Sequence, residues 1–130
     1  MNTLLQLGIL FKGVSHVEGR KKLQKMVHIL QEFGVPFGVR FGYHHYGPFS
    51  EQLQDSLQSF QHDGLIAETP VGGQFPTSQF TPEAKLLELL DQVGATVSPA
   101  WVDFASELNA KSPRDLEAIS TLIYVQENQS

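Results

Sequence analysis

Four basic side chains are concentrated in one short stretch of the chain: Arg20, Lys21, Lys22 and Lys25. Apolar residues spaced three and four apart predict an amphipathic helix over 20–33, so these cations fall in its first two turns. The helix dipole mildly disfavours cations there, a cost that a function could justify. The four side chains are therefore candidates for contacting phosphates or an acidic protein surface. A solvated helix face remains the alternative interpretation, because charge runs usually have that role.

A second candidate surface is a glutamine-rich helix predicted over 51–62. Its exposed side chains include Gln54, Asp55, Gln58 and His62. Glutamine can hydrogen-bond to adenine, but a helix in the major groove also needs Lys or Arg to neutralise phosphates, and this helix contains neither. Its composition therefore favours a protein partner over DNA.

The third candidate is an aromatic cluster, Tyr43, His44, His45 and Tyr46, next to a Gly-Pro turn. Adjacent strand residues point to opposite faces, so we expect that the two histidines do not bind one metal ion together. The sequence has no HExxH or HxxxH spacing that would supply further ligands. Packing at a helix–strand junction is the favoured interpretation, and a small binding pocket is the alternative.

Catalytic motifs are absent from the sequence. It contains no cysteine and no Gly-x-Ser-x-Gly elbow, and Gly72-Gly73 lacks the Lys-Ser or Lys-Thr of a phosphate loop. We therefore expect no enzyme activity, no catalytic residues, no cofactor and no metal.

Charge is distributed unevenly along the 130 residues, whose formal net charge is −5. Residues 1–42 carry six basic and two acidic side chains, whereas residues 43–130 carry three basic and twelve acidic ones. This balance argues against a nucleic-acid or anionic-membrane partner outside the basic stretch. No apolar run approaches a membrane span, and the sequence shows neither a signal peptide nor cysteines, so we expect a cytoplasmic protein.

Local patterns predict a mainly α-helical protein with a small β-hairpin. The predicted helices are 3–13, 20–33, 51–62, one that follows Thr81-Pro82-Glu83, and two near 99–110 and 113–126. A short strand is expected within 37–46, and strands 65–69 and 74–80 form the hairpin. This order predicts a winged-helix-like domain over 1–81, with a C-terminal helical extension over 82–130 packed on it. The last helix is apolar on more than one side, which is typical of a dimer or interaction helix and equally of a central packed helix.

Three segments carry a resemblance to a known family: GRKKLQK at 19–25, YHHYGPFS at 43–50 and DGLI at 63–66. In their order and spacing they resemble the YwgA-type family of small bacterial proteins. A looser similarity, through the Lys-Leu-Gln-Lys helix and the Tyr-Gly-Pro turn, reaches the Panacea (SocA-like antitoxin) domain. His45 and Phe49 depart from the family pattern, which often has a single His and a Tyr.

The first resemblance implies a winged-helix-like fold without a known catalytic set, and the second implies action by binding other proteins. Together with the residues, they predict a regulatory or adaptor-like protein-interaction module that binds a protein partner or forms a homodimer. The alternative is a DNA-binding regulator that contacts phosphates through Arg20, Lys21, Lys22 and Lys25.

Overall fold

The computed structural model describes residues 2–45, 47–73, 77–95 and 97–129. Its helices are α1 (Asn2–Val14), α2 (Arg20–Glu32), α3 (Glu51–His62), α4 (Ala84–Gln92), α5 (Trp101–Asn109) and α6 (Pro113–Glu127). Its strands are β1 (Val17–Glu18), β2 (Gly42–His44), β3 (Gly47–Phe49), β4 (Ile66–Val71) and β5 (Thr77–Pro82). The predicted class, mainly α-helical with a small antiparallel β element, is confirmed.

Helix α2 is largely buried, because α5, α6 and the strands β1 and β3 pack against it. Every residue from Lys22 to Leu30 is buried. The expected apolar face contacts the core, but the opposite face, with Lys25 and His28, is covered as well. Helices α5 and α6 pack on that side of α2. The prediction of an amphipathic helix with a solvated polar face is therefore wrong for the middle of α2.

The hydrophobic core joins both halves of the chain. Helices α1, α2 and α3 contribute fully buried apolar side chains, among them Leu7, Leu10, Phe11, Leu23, Met26, Leu53 and Leu57. The later helices α4, α5 and α6 add Leu86, Leu90, Ala105, Leu108 and Leu116 to the same cluster. Burial of this apolar surface is the main favourable contribution to folding. The division into residues 1–81 and 82–130 stays a prediction.

Two antiparallel sheets are present in the described part of the chain. Strands β4 and β5 form the expected hairpin, and β1 adds to its edge in the order β1-β5-β4, with Val17 opposite Phe80. Strand β1 was not predicted, because two residues are too short to show an alternating pattern.

The second sheet is the short β2–β3 hairpin, in which His44 lies opposite Gly47. Its strand β2 lies within the range 37–46 where a short strand was expected, whereas β3 was not predicted. The preceding segment cannot pair as a strand: Gly38 has φ +72°, and the backbone of Val39 is bonded on both sides by the side chain of Gln31.

Helix starts follow the predicted capping chemistry at two positions. The Ser50 hydroxyl accepts a hydrogen bond from the Leu53 backbone N–H, and Ser112 does the same for Asp115. These caps fix the first residues of α3 and α6. None of the helices in the described ranges is long and apolar enough to cross a bilayer.

Candidate functional site

The first two turns of α2 pack against the β2–β3 hairpin, and a buried glutamine joins them. Gln24 donates to the Ser50 carbonyl and accepts from the Ser50 backbone N–H, each at 2.8 Å. Both residues are at most 1% exposed. Because Ser50 is also the N-cap of α3, this pair of hydrogen bonds fixes where the hairpin ends and α3 begins.

Lys25, the next residue of α2, is buried against the same hairpin. Its Nζ donates to the Pro48 carbonyl at 2.5 Å, and the residue is only 2% exposed. Burial lowers the pKa of its ammonium to about 8, although Glu117 on α6 opposes that shift. Lys25 therefore carries a poorly solvated charge at the junction of α2, β3 and α6.

The other three basic residues also have partners within the fold. Arg20 forms two hydrogen bonds with the Glu68 carboxylate, at 2.7 and 3.1 Å, and the pKa of Glu68 is lowered to about 2 chiefly by them. Lys21 pairs with Glu117 at 2.5 Å, and Lys22 donates to the carbonyl of Asn109 at the end of α5.

The basic stretch is therefore not a solvated patch. Lys22 and Lys25 are buried, and the side chains of Arg20 and Lys21 are about 37% and 43% exposed while paired with acids. The alternative of a solvated helix face is wrong for Lys22 and Lys25, because segments distant in sequence fold over this end of α2, and a contact role for the four residues stays a prediction. Contact of Lys22 with a DNA phosphate would require the surrounding packing to open.

The histidines of the aromatic cluster meet the basic stretch around one cavity. It has a volume of about 420 Å³ and is lined by Arg20, Lys21, Gln24, Lys25, His44, His45, Gly47 and Phe49. Both histidines line it because His45 lies in the turn, where strand alternation has ended. The inference that they diverge was wrong in this respect. Within the described ranges, no three His, Cys, Asp or Glu side chains are grouped to hold a metal ion.

Tyr43 does not line this cavity, although it was predicted to belong to the pocket. Tyr43 is 57% exposed and packs on α6, its ring 5.6 Å from that of Tyr124. Tyr46 lies outside the described residues. The cavity thus combines the two histidines with α2, whereas Tyr43 belongs to a different surface, and a binding role for the cluster stays a prediction.

The predicted contact face of α3 is a separate surface. Asp55, Gln58 and His62 are exposed, and Gln54 is half-buried. The neighbouring Gln61 is half-buried and bonds to both Arg20 and Glu68. The described lining of the cavity comes from α2 and the hairpin, so the α3 face and the cavity are distinct candidates.

One polar pair was missed by the sequence analysis. His28 Nδ1 lies 2.6 Å from Ser120 Oγ on α6, and both residues are buried. Burial lowers the pKa of His28 to about 4, so its imidazole is neutral near pH 7. The pair joins α2 to α6. A separation of 92 residues left no local signal of it.

Two of the three segments that carry the resemblance are joined in the fold, because Gln24 and Lys25 of GRKKLQK hydrogen-bond to the backbone of the Gly-Pro-Phe-Ser segment. Comparison with known proteins supports the YwgA resemblance. The Bacillus subtilis (strain 168) protein named "Uncharacterized protein YwgA" is 31% identical to this chain over 116 residues, which are 88% of this chain and 69% of that relative. The chain belongs to the YwgA family. No protein-family model matches it. The YwgA resemblance is thus confirmed, and the similarity to the Panacea domain stays a prediction.

Proposed function

We propose that this YwgA-family protein is a regulatory or adaptor module that acts by binding another protein and performs no chemical step. The observation that carries the proposal is an apolar surface left open on α6. Leu122 is 71% exposed and Val125 is 42% exposed, and the 57% exposed Tyr43 lies beside the same helix. We call these three residues the α6 surface.

The form of the α6 surface supports a protein partner. A groove of about 380 Å³ runs between Tyr43 and the end of α6, lined by Tyr43, Tyr124, Val125, Asn128 and Gln129. Exposed apolar side chains next to an aromatic anchor and rimmed by amides are typical of protein contacts. The opposite side of α6 buries Leu116 in the core, which accounts for apolar residues on two sides of this helix.

The α3 face supplies a second, polar contact in this proposal. Gln54, Asp55, Gln58 and His62 present amide, acidic and imidazole groups without a Lys or Arg. The winged-helix-like fold is also part of this proposal. The order α1, β1, α2, α3, β4, β5 supports it, with β2–β3 inserted before α3. A protein partner fits these surfaces better than DNA does, because the four basic side chains already have partners within the fold.

The test is partner capture followed by affinity measurement. Wild-type protein and the double variant Leu122→Glu with Val125→Glu are immobilised and exposed to a bacterial extract. The matched control is Leu87→Glu with Leu89→Glu, since those leucines are 41% and 40% exposed on α4. The captured protein is identified and purified, and its Kd for each variant is measured by calorimetry.

We expect the α6 variant to weaken binding at least tenfold, because two buried carboxylates would face an apolar contact. The α4 control should bind like wild type. A second copy of the chain as the captured partner would identify a homodimer. Equal binding by the α6 variant and wild type would reject the α6 surface, and equal losses in both variants would show a non-specific effect of charge.

A further inference from the structure

The cavity between α2 and the β2–β3 hairpin has an unusual lining for a protein of net charge −5. Arg20, Lys21 and Lys25 contribute three cationic side chains, and none of the described lining residues is acidic. Its volume of about 420 Å³ falls within the range of small-molecule sites, roughly 300–1,000 Å³. The lining and the size together indicate a site for a small ligand with negative charge.

We propose that this cavity binds a small molecule that carries one anionic group on a planar, apolar body, with Lys25 as the countercharge. The proposal goes beyond the function proposed above, since it concerns the α2–hairpin cavity and a ligand rather than the α6 surface and a protein.

Lys25 is singled out by the nature of its partner. Arg20 and Lys21 are each paired with a carboxylate, Glu68 and Glu117 respectively, whereas the hydrogen bond of Lys25 goes to the neutral Pro48 carbonyl. A buried ammonium without a bonded carboxylate is costly, because a carbonyl dipole replaces only part of its hydration. Glu117 attracts this ammonium from α6 but does not offset its burial, and an anion bound in the cavity would add a direct countercharge.

The aromatic lining of the cavity indicates what the uncharged part of the ligand should be. Phe49 and the imidazole of His44 are adjacent, with ring centroids 5.2 Å apart, and both line the cavity with His45 and Gly47. Aromatic faces favour a planar group through offset or edge-to-face contacts. The aliphatic stems of the lysines add apolar surface that a hydrophobic ligand can cover. Benzoate and phenyl phosphate reproduce this chemistry, one as a carboxylate and the other as a phosphate monoester.

The experiment is a titration of ¹⁵N-labelled protein with benzoate, phenyl phosphate and the neutral isostere benzamide, followed by amide chemical shifts. Wild type is compared with Lys25→Met, which keeps an unbranched side chain and removes the charge. The matched control is Lys111→Met at an exposed position outside the cavity. Far-UV circular dichroism confirms that each variant is folded.

We expect an anion to bind wild type at least tenfold more tightly than benzamide, with shifts at Gly47, His45 and Phe49. Lys25→Met should lose that preference and Lys111→Met should keep it. Tighter binding of phenyl phosphate would identify a phosphate monoester as the anionic group of the ligand, and tighter binding of benzoate would identify a carboxylate. Equal Kd values for benzamide and both anions, or shifts confined to other residues, would overturn the proposal on wild-type protein alone, even if Lys25→Met failed to fold.

Discussion

Gly47 shows how much one residue decides at the junction of α2, the hairpin and α6. Its φ is +88°, in the left-handed region that side chains disfavour, and an added Cβ would lie 2.6 Å from Thr121 Oγ1. The same Cβ would lie 3.7 Å from Lys25 Nζ. Glycine is therefore needed both for the backbone conformation and for the close approach of α6.

We predict that Gly47→Ala lowers the free energy of unfolding by about 2–4 kcal/mol, combining left-handed strain with overpacking against Thr121. Urea unfolding followed by circular dichroism measures it. Gly64→Ala is the matched control, because Gly64 has φ +74° with nothing within 4 Å of its added Cβ, and should lose only about 1–2 kcal/mol. Adding Thr121→Ala to Gly47→Ala should recover part of the loss. Equal losses at the two glycines would show that contact with α6 is unimportant.

At the scale of elements, α2 and α6 are joined by polar contacts along their length. Lys21 pairs with Glu117 near one end, and His28 bonds to Ser120 in the middle. At the far end the carboxylates of Glu32 and Glu127 approach each other, and Glu32 Oε1 is buried without a hydrogen-bond partner among the described residues. Burial and the hydrogen bond to Glu127 raise the pKa of Glu32 to about 7.

This raised pKa predicts a pH dependence of stability. The folded protein binds a proton at Glu32 that the unfolded chain, with a pKa near 4.5, has already released. The contribution of Glu32 is therefore fully present below about pH 4.5 and is lost as pH rises through 7. His28, whose folded pKa is depressed, acts in the opposite direction: its contribution is present above about pH 6.5 and is lost as pH falls towards 4.

The variant Glu32→Gln separates the contribution of Glu32 to the pH dependence from that of His28, since an amide mimics the protonated acid at every pH. We expect the Tm of the variant relative to wild type to increase between pH 5 and pH 8, as measured by thermal unfolding. Glu88→Gln, at an exposed position on α4, should track wild type over the same range. A constant difference between Glu32→Gln and wild type would contradict the raised pKa.

For the whole molecule, folding brings the two unequal parts of the charge distribution together. The excess of cations in residues 1–42 is partly neutralised by acids from the later sequence, as Arg20 pairs with Glu68 and Lys21 with Glu117. Arg20 also lies over the Phe80 ring, 5.8 Å from its centroid, which anchors the start of α2 to the sheet. In the folded protein, part of the charge asymmetry of the sequence is therefore used in ion pairs between distant segments, and less of it remains as an electrostatic field at the surface.

We therefore predict that the protein does not bind a DNA duplex at micromolar concentration, even at about 50 mM salt, where phosphate contacts are strongest. Fluorescence anisotropy of a labelled mixed-sequence duplex at about 50 and 200 mM salt is the measurement. Arg20→Ala and Lys21→Ala provide the decisive comparison. Binding that weakens with salt and with either substitution would restore the DNA-binding alternative.

The sequence determined the helices and the main hairpin, because their signals are local. Apolar spacing, the Ser50 and Ser112 caps and glycines that stop helices act within a few residues, so α3 is found over the predicted residues 51–62. Strands β1 and β3 were missed, since two or three residues show no clear alternation. Strand β2 lies at the end of the predicted range 37–46, because the positive φ at Gly38 interrupts an extended backbone before it.

The sequence also identified the basic stretch and the aromatic cluster as the unusual features of this chain. Only the tertiary structure shows what the basic side chains contact, because their partners lie far away in sequence: Glu68 for Arg20, Glu117 for Lys21 and Pro48 for Lys25. A lysine at a helix start is exposed unless another segment covers it. Because α6 and the hairpin pack over it, Lys25 is buried and lines a cavity. Its burial depends on which elements meet rather than on the residue type.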